Sequence, residues 1–434
     1  MSLAAMKGIL QVGGLSGRFD TIVANDQHGR DLQDPAKSPM LDEVANTLMA
    51  RRTNWIGNEL SDLDRQGLLR QLQTRESPPV SGMIQIDGQQ MVNFGSNDYL
   101  GLAADERLVD AVKHYSGQLG WGSGASGLIG GRGTLHRRLE NELARFSQTE
   151  AALLFPTGFA ANVGAVTSLV GRGDTVFSDQ LNHASIIDGC RLSGATICIY
   201  RHNDIDHLSE LLESCSASGR RLIITDAVFS MDGDIAQLEP ISRLADQYQA
   251  MLVVDEAHAT GVFGANGRGA CEQFDVESCV DLRVGTLSKA LGSMGGYIAG
   301  SSELIQWVYN KSRSYMFSTA QPEAISAASL VALEIVQSEP QRRKKLLELS
   351  RQLRQRIKGL GFDVANSNTQ IIPLIVGDNQ TALSLSQKLR KHGFFVPAIR
   401  PPAVPNQLAR LRVSLSCQHD EVQLEQLCEC LSAL

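Results

Sequence analysis

Between residues 151 and 285 the chain repeats one pattern: a short apolar run, a turn rich in glycine or polar residues, then an amphipathic stretch. The runs 151–155, 174–178, 196–200, 221–225, 250–254 and 282–285 read as strands. Several are almost continuously apolar, as in the buried strands of a parallel sheet with helices on both faces. Helices are predicted over 159–169, after 182–185 and near 240–248, in the places where parallel strands need crossovers. The pattern predicts a large α/β domain over 110–319.

The flanks follow other periods. Residues 83–94 alternate around Asp87-Gly88, a hairpin turn dipeptide. Ile56, Leu60, Leu63, Leu68, Leu69 and Leu72 fit one face of a helix over 56–76. The polar cluster 96–102 is either a site or the cap of the next helix. The glycine-dense stretch 120–133 lacks the strand-then-GxGxxG order of a dinucleotide site, and reads as a loop bringing backbone close to a substrate. An amphipathic helix is predicted over 134–146. Past residue 320 the pattern gives helices 323–337 and 340–359, strand 370–376, helix 381–391, strands 394–399 and 409–416, and a helix from Asp420. Arg342-Arg343-Lys344-Lys345 reads as a solvated helix face. Residues 1–55 show no period, and 25–39 read as loop or disorder. The expected division is an N-terminal extension, 1–55; a helix and hairpin segment, 56–109; the large domain, 110–319; and a small α+β C-terminal domain, 320–434.

Composition excludes several function classes. With 43% hydrophobic and 20% charged residues the chain reads as an ordinary soluble protein. A formal net charge of −7 argues against nucleic-acid or anionic-membrane partners. The eight cysteines form no CxxC pair and no Cys/His zinc spacing, so no metal is expected, and reduced thiols suit a cytoplasmic protein. No apolar run is long enough to span a bilayer, and residues 1–19 do not make a secretory signal.

Candidate chemistry gathers where the predicted strands end. Lys289 follows strand 282–285, between hydroxyls and glycines. A desolvated lysine amine loses its proton readily and can form a Schiff base with an aldehyde. Asp255 and His258 follow strand 250–254, and Ser230 follows strand 221–225. In open α/β sheets ligands sit outside the carboxyl ends of the strands, so these residues are expected to converge. A pyridoxal phosphate site needs a lysine, a carboxylate against the pyridine nitrogen, a group stacked on the ring and a phosphate cup. Lys289, Asp255 and His183 can supply the first three. Gly158 and Phe159, at a helix start, offer backbone N–H groups for the phosphate, with Thr286 and Ser288 as further donors. Each also has a bland reading, Asp255 as a helix cap and His183 as a turn residue among them.

Six stretches occur in the order found in the α-oxoamine synthases: 96–101 (SNDYLG), 157–162 (TGFAAN), 182–185 (NHAS), 228–234 (VFSMDGD), 255–261 (DEAHATG) and Ser288-Lys289. From about residue 56 to the end the chain resembles this family of fold-type-I pyridoxal phosphate enzymes, which join a small amino acid to an acyl-CoA with loss of carbon dioxide. The resemblance implies that Lys289 holds the cofactor and moves protons, that Asp255 pairs with the pyridine nitrogen, that His258 lies beside the ring hydroxyl and that His183 stacks on the ring. It implies cofactor contacts from Gly158, Phe159, Ser230 and Thr286. Ser318 and Thr319 match positions that reach the phosphate of a partner subunit, which implies a homodimer. Asn97 and Arg412 match groups that orient the amino-acid carboxylate, with His183 nearby, and Arg70 matches an arginine near the acyl substrate. Stretches 372–379 and 398–405 resemble the branch acting on L-alanine and a pimeloyl thioester; the alternative is glycine or serine with another acyl-CoA. Two departures stand out: Ala403 replaces a family threonine, and residues 1–55 have no counterpart. A regulator on the same fold would need a basic DNA-binding helix, which that extension does not offer.

Overall fold

The computed structural model describes residues 39–80, 82–215 and 219–433, with backbone alone for 39–51. The chain divides into two compact units, 1–65 and 66–434. The described part of the first is one helix, α1 (Pro39–Arg65). The helix expected over 56–76 therefore starts earlier and stops at Arg65, just before Gly67 takes a positive φ of 64°. That left-handed turn ends the helical period in spite of the leucines beyond it. Residues 39–55, which show no clear period in the sequence, are helical, and 1–38 lie outside the described residues.

The second unit opens with hairpin β1 (Met83–Ile86) and β2 (Gln89–Asn93), closed at Asp87-Gly88 as expected. Then come α2 (Glu106–Leu119), α3 (Thr134–Phe146), β3 (Ala151–Phe155), α4 (Gly158–Leu169), β4 (Thr175–Asp179), α5 (Ala184–Ser193), β5 (Thr196–Tyr200), α6 (Ile205–Ser214) and β6 (Arg221–Asp226). They are followed by α7 (Leu238–Gln247), β7 (Met251–Asp255), β8 (Leu282–Thr286), β9 (Gly296–Gly300), α8 (Ser302–Lys311), α9 (Glu323–Ser338) and α10 (Gln341–Gly359). The chain ends in β10 (Ile371–Gly377), α11 (Asn379–Lys391), β11 (Phe394–Phe395), β12 (Ala398–Ile399), β13 (Ala409–Ser414) and α12 (Glu421–Ser432).

Seven strands form the central sheet in the order β3-β9-β8-β7-β6-β4-β5, all parallel except β9, which runs against both neighbours. The unbroken apolar runs have a simple cause: successive residues serve two cores. Ile223, Leu252 and Val254 pack into one, while Leu222, Ile224, Val253 and Val284 pack into the other. Burying each such side chain contributes about 1.5–3 kcal/mol. Register aligns Asp226 with Asp255 and Asp255 with Val284, so the carboxyl ends of β6, β7 and β8 share one edge.

Three expectations are corrected. Strand β9 was not expected, because Gly-Tyr-Ile-Ala-Gly has the glycines of a turn; a Cβ on Gly296 would come 2.6 Å from the Cα and N of Gly158, so close packing, not propensity, puts glycine there. The single strand expected over 394–399 is two, β11 pairing with β2 and β12 with β13, because Pro397 between them has no N–H to give. The basic cluster of α10 is not all solvated: Arg343 is buried and donates to the carbonyls of Val336 and Ala265, and Arg342 donates to that of Leu100 at 3.0 Å. Only Lys344 and Lys345 are exposed. A lone basic run cannot report that a guanidinium closes loops beneath it.

Candidate active site

Asp255 ends β7, nearly buried. Its Oδ1 accepts the N–H of Ala257 at 2.8 Å and its Oδ2 accepts Nδ2 of Asn162 at 2.6 Å. Asn162 lies on α4 and gives its Nδ2 also to Oγ of Ser185 at 2.9 Å. Ser185 is fully buried and meets Nδ1 of His183 twice, through Oγ at 2.7 Å and N–H at 3.2 Å. The N–H fixes Nδ1 as an acceptor and leaves the ring proton on Nε2. One amide thus ties Asp255 to His183 across three elements. The His183 ring meets Phe159 edge to face, centroids 6.4 Å apart.

Asp226 ends β6 beside Asp255 and accepts the N–H of His183 at 2.7 Å. Burial and the neighbouring Asp255 raise its carboxyl well above the usual carboxylate range. Lys289 stands beyond the end of β8, half-buried, and its Nζ makes no hydrogen bond or ion pair among the described residues. Burial pushes its ammonium down to about 8, against the opposing pull of Asp255 and Asp226. The result is an amine with a substantial neutral fraction at physiological pH.

Arg412, on β13, donates Nε to the carbonyl of Ser230 at 2.6 Å, Nη1 to Ser414 at 2.7 Å, and both Nη atoms to Oδ1 of Asn97 at 3.2 Å. The Tyr99 hydroxyl lies 3.1 Å from that oxygen and 2.7 Å from Nδ1 of His258. Tyr99 donates its proton to Asn97 Oδ1 while its oxygen faces the His258 ring, so one hydroxyl links Arg412, through Asn97, to His258. Burial, then Lys289, hold His258 well below its ordinary range and keep the ring neutral.

Thr286 binds Ser288 at 2.8 Å and the Gly295 carbonyl at 2.9 Å. Facing it, Gly158 begins α4, where Thr157 caps the N–H of Ala160 and leaves those of Gly158 and Phe159 without a partner among the described residues. These features fit pyridoxal phosphate: an unpartnered amine, a fixed buried carboxylate, a ring-facing imidazole and two free N–H groups at a helix start beside hydroxyls.

The other expected residues lie apart. Ser318 and Thr319 line a separate small cavity with Arg132, Phe155, Pro156 and Tyr315, and their hydroxyls make no hydrogen bond among the described residues. Arg70 is exposed and donates to the carbonyls of Pro401 at 2.9 Å and Leu68 at 3.2 Å, beside the 398–405 stretch. The 96–102 cluster does not cap α2, which Asp105 caps, and instead presents Asn97. Sequence reasoning missed Asn162, Asp226, Ser185 and Tyr99 as site residues. Tyr99, Asn162 and Ser185 lie in the stretches 96–101, 157–162 and 182–185 that carry the resemblance, without a role assigned to them, and Asp226 alone carried no signal.

The aminotransferase class I and II family model matches residues 89–431. The chain is 47% identical over 381 residues to 8-amino-7-oxononanoate synthase of Anaeromyxobacter dehalogenans, covering 88% of this chain and 95% of that one. It is also 47% identical over 379 residues to the protein of the same name from Geobacter sulfurreducens, covering 86% and 96%. Among solved structures, serine palmitoyltransferase of Sphingomonas wittichii superposes with TM-score 0.83 at 31% identity, covering 89% of this chain and 97% of that one. A serine palmitoyltransferase from S. paucimobilis, solved with PLP and myriocin bound, gives 0.84 at 29% identity over 88% and 97%. The 8-amino-7-oxononanoate synthase of Francisella tularensis gives 0.69 at 29% identity over 79% and 97%. The chain therefore belongs to the aminotransferase class I and II family, with the fold of the pyridoxal phosphate-dependent acyltransferases in it.

Proposed function

We propose that this enzyme condenses L-alanine with a pimeloyl thioester, releasing carbon dioxide and the thiol, to give 8-amino-7-oxononanoate, a step of biotin biosynthesis. The observation that carries the reading is the unpartnered amine of Lys289 close to Asp255, which Asn162 fixes in place. The curated relatives supply the choice of substrates. The subdivision into a cofactor-binding part, 110–319, and a smaller part, 320–434, that supplies Arg412 belongs to the same reading, as does a cytoplasmic homodimer.

Pyridoxal phosphate, when bound, supplies an electron sink for the pair left at the amino-acid Cα. Lys289 would hold the cofactor at its aldehyde end, and its neutral nitrogen would take the proton from the amino-acid Cα. Asp255 would answer a proton on the pyridine nitrogen and favour that form. His258 would contact the ring hydroxyl, and His183 would lie against the ring. The N–H groups of Gly158 and Phe159, with Thr286 and Ser288, would take the phosphate, and in a homodimer Ser318 and Thr319 of the other copy would join them. Arg412 and Asn97 hold the alanine carboxylate, while Arg70 guards the side where the acyl chain enters. Holding the carboxylate there lines up the Cα–H bond with Lys289.

The test is alanine-dependent release of free CoA from pimeloyl-CoA, against acetyl-CoA and palmitoyl-CoA, and against glycine or serine as the amine. A higher kcat/KM for glycine or serine, or for either other thioester, would overturn the substrate assignment.

A further inference from the structure

Away from the lysine, His202 is held at both ring nitrogens by carboxylates. Nδ1 lies 2.9 Å from Oδ1 of Asp179, at the end of β4, and Nε2 lies 2.8 Å from Oδ2 of Asp234. A neutral ring would turn a lone pair toward one of these oxygens, so the geometry calls for the doubly protonated imidazolium. The ring stands edge to face on Phe229, centroids 4.4 Å apart. Asp179 and Asp234 are almost buried, with 1% and 8% of their side chains exposed, so their charges need answering in place. Among the described residues the second oxygen of Asp234, Oδ1, is buried without a partner, and Oδ2 has only His202 and Nδ2 of Asn203. Burial works against a charged ring, but the two carboxylates outweigh it and raise His202 to about 10. The carboxylates sit on opposite edges of the ring, which is not how a metal ion is shared.

Asp234 closes the loop after β6. Its carbonyl accepts the N–H of Phe229 at 3.0 Å, and the N–H of Gly233 returns to the carbonyl of Phe229 at 2.8 Å. The carbonyl of Ser230 in this loop takes Nε of Arg412, and Asp232 takes Nη1 of Arg410 at 2.7 Å. The loop is therefore gripped by His202 on one side and grips two arginines of β13 on the other.

We infer that His202 is a positioning residue: a permanent cation that clamps loop 229–234 to β4 and, through the Ser230 carbonyl, sets the angle of the Arg412 guanidinium. The clamp's effect on catalysis rests on the reading that Arg412 takes the amino-acid carboxylate. A small rotation of a bidentate clamp misplaces the reacting bond without removing any reacting group.

The experiment is His202→Gln in the holoenzyme, with Asp234→Asn beside it. Hydrogen exchange is expected to quicken in 229–234 and stay unchanged in β7, and KM for L-alanine to rise about tenfold while kcat falls less than about threefold. Nitrogen-15 NMR of the unaltered protein is expected to show both ring nitrogens of His202 protonated from pH 6 to 9. A ring that titrates near 6.5, or unchanged loop exchange in both variants, overturns the clamp. Faster loop exchange with unchanged KM overturns its link to Arg412. If the unaltered enzyme turns over no alanine, the substrate reading fails instead, and exchange and titration still decide the clamp.

Discussion

Lys289 and His202 are both cationic groups near carboxylates at the same edge of the seven-stranded sheet, and the fold moves them in opposite directions. Lys289 falls to about 8 and His202 rises to about 10. Burial disfavours both charges, so burial alone cannot separate them. Hydrogen bonding does. Each nitrogen of His202 meets a carboxylate oxygen at 2.9 Å or less, whereas Nζ of Lys289 meets no partner among the described residues, and Asp255 spends its oxygens on Asn162 and Ala257. A cation given partners becomes structure; a cation denied them, within reach of the same kind of acid, stays available for proton transfer.

Breaking the labile side has the largest effect. Lys289→Ala is expected to abolish alanine-dependent CoA release, with about 10²–10⁴-fold lost from proton transfer alone. It should also remove the long-wavelength absorbance of the loaded enzyme; a variant that keeps that absorbance would place the cofactor on another residue. Asp255→Asn retains size and a bond to Asn162 but not charge, and is expected to bind cofactor while losing about 10²-fold or more in kcat. Rapid exchange of the alanine α-hydrogen in that variant would remove Asp255 from the proposed role. Asn162→Ala tests the brace and not the charge. It frees Asp255 Oδ2 and the Ser185 hydroxyl together, and a loss of about tenfold in kcat with cofactor still bound is expected.

The contrast sharpens with pH. Cofactor uptake by the apoenzyme requires the neutral amine of Lys289, which at pH 7 is about a tenth of the total for a group at about 8. The uptake rate should reach half its maximum near pH 8 and level off, about tenfold above its value at pH 7, beyond about pH 9. An unperturbed lysine would show a rise continuing past pH 10.

The strands of the large sheet were legible because fully buried runs repeat between helical stretches, and the lysine because it follows such a run among hydroxyls and glycines. What stayed hidden depends on contacts between distant residues. Gly296 reads as a turn until Gly158 is seen against it. Arg343 reads as a surface charge until the carbonyls it closes are in view. Asp226 carries no mark of its own, because it matters only through a register that sets it beside Asp255. His202 was passed over for the same reason, since its two acids are 23 and 32 residues away.

The smallest effect, and the one that isolates the locked side, is on stability. In the unfolded chain a histidine titrates near about 6.5, whereas the folded value for His202 is about 10. The folded state then holds its proton more tightly, so the clamp's contribution is complete below about pH 6.5, shrinks as pH rises, and is gone above about pH 10. Many other groups titrate over this range, so the melting temperature of the unaltered protein alone would not show it. The difference between that protein and His202→Gln cancels most of them. The difference should be widest at pH 6 and close steadily toward pH 10, and a gap that stays constant would mean that His202 acts as a neutral packing residue and not as a charge.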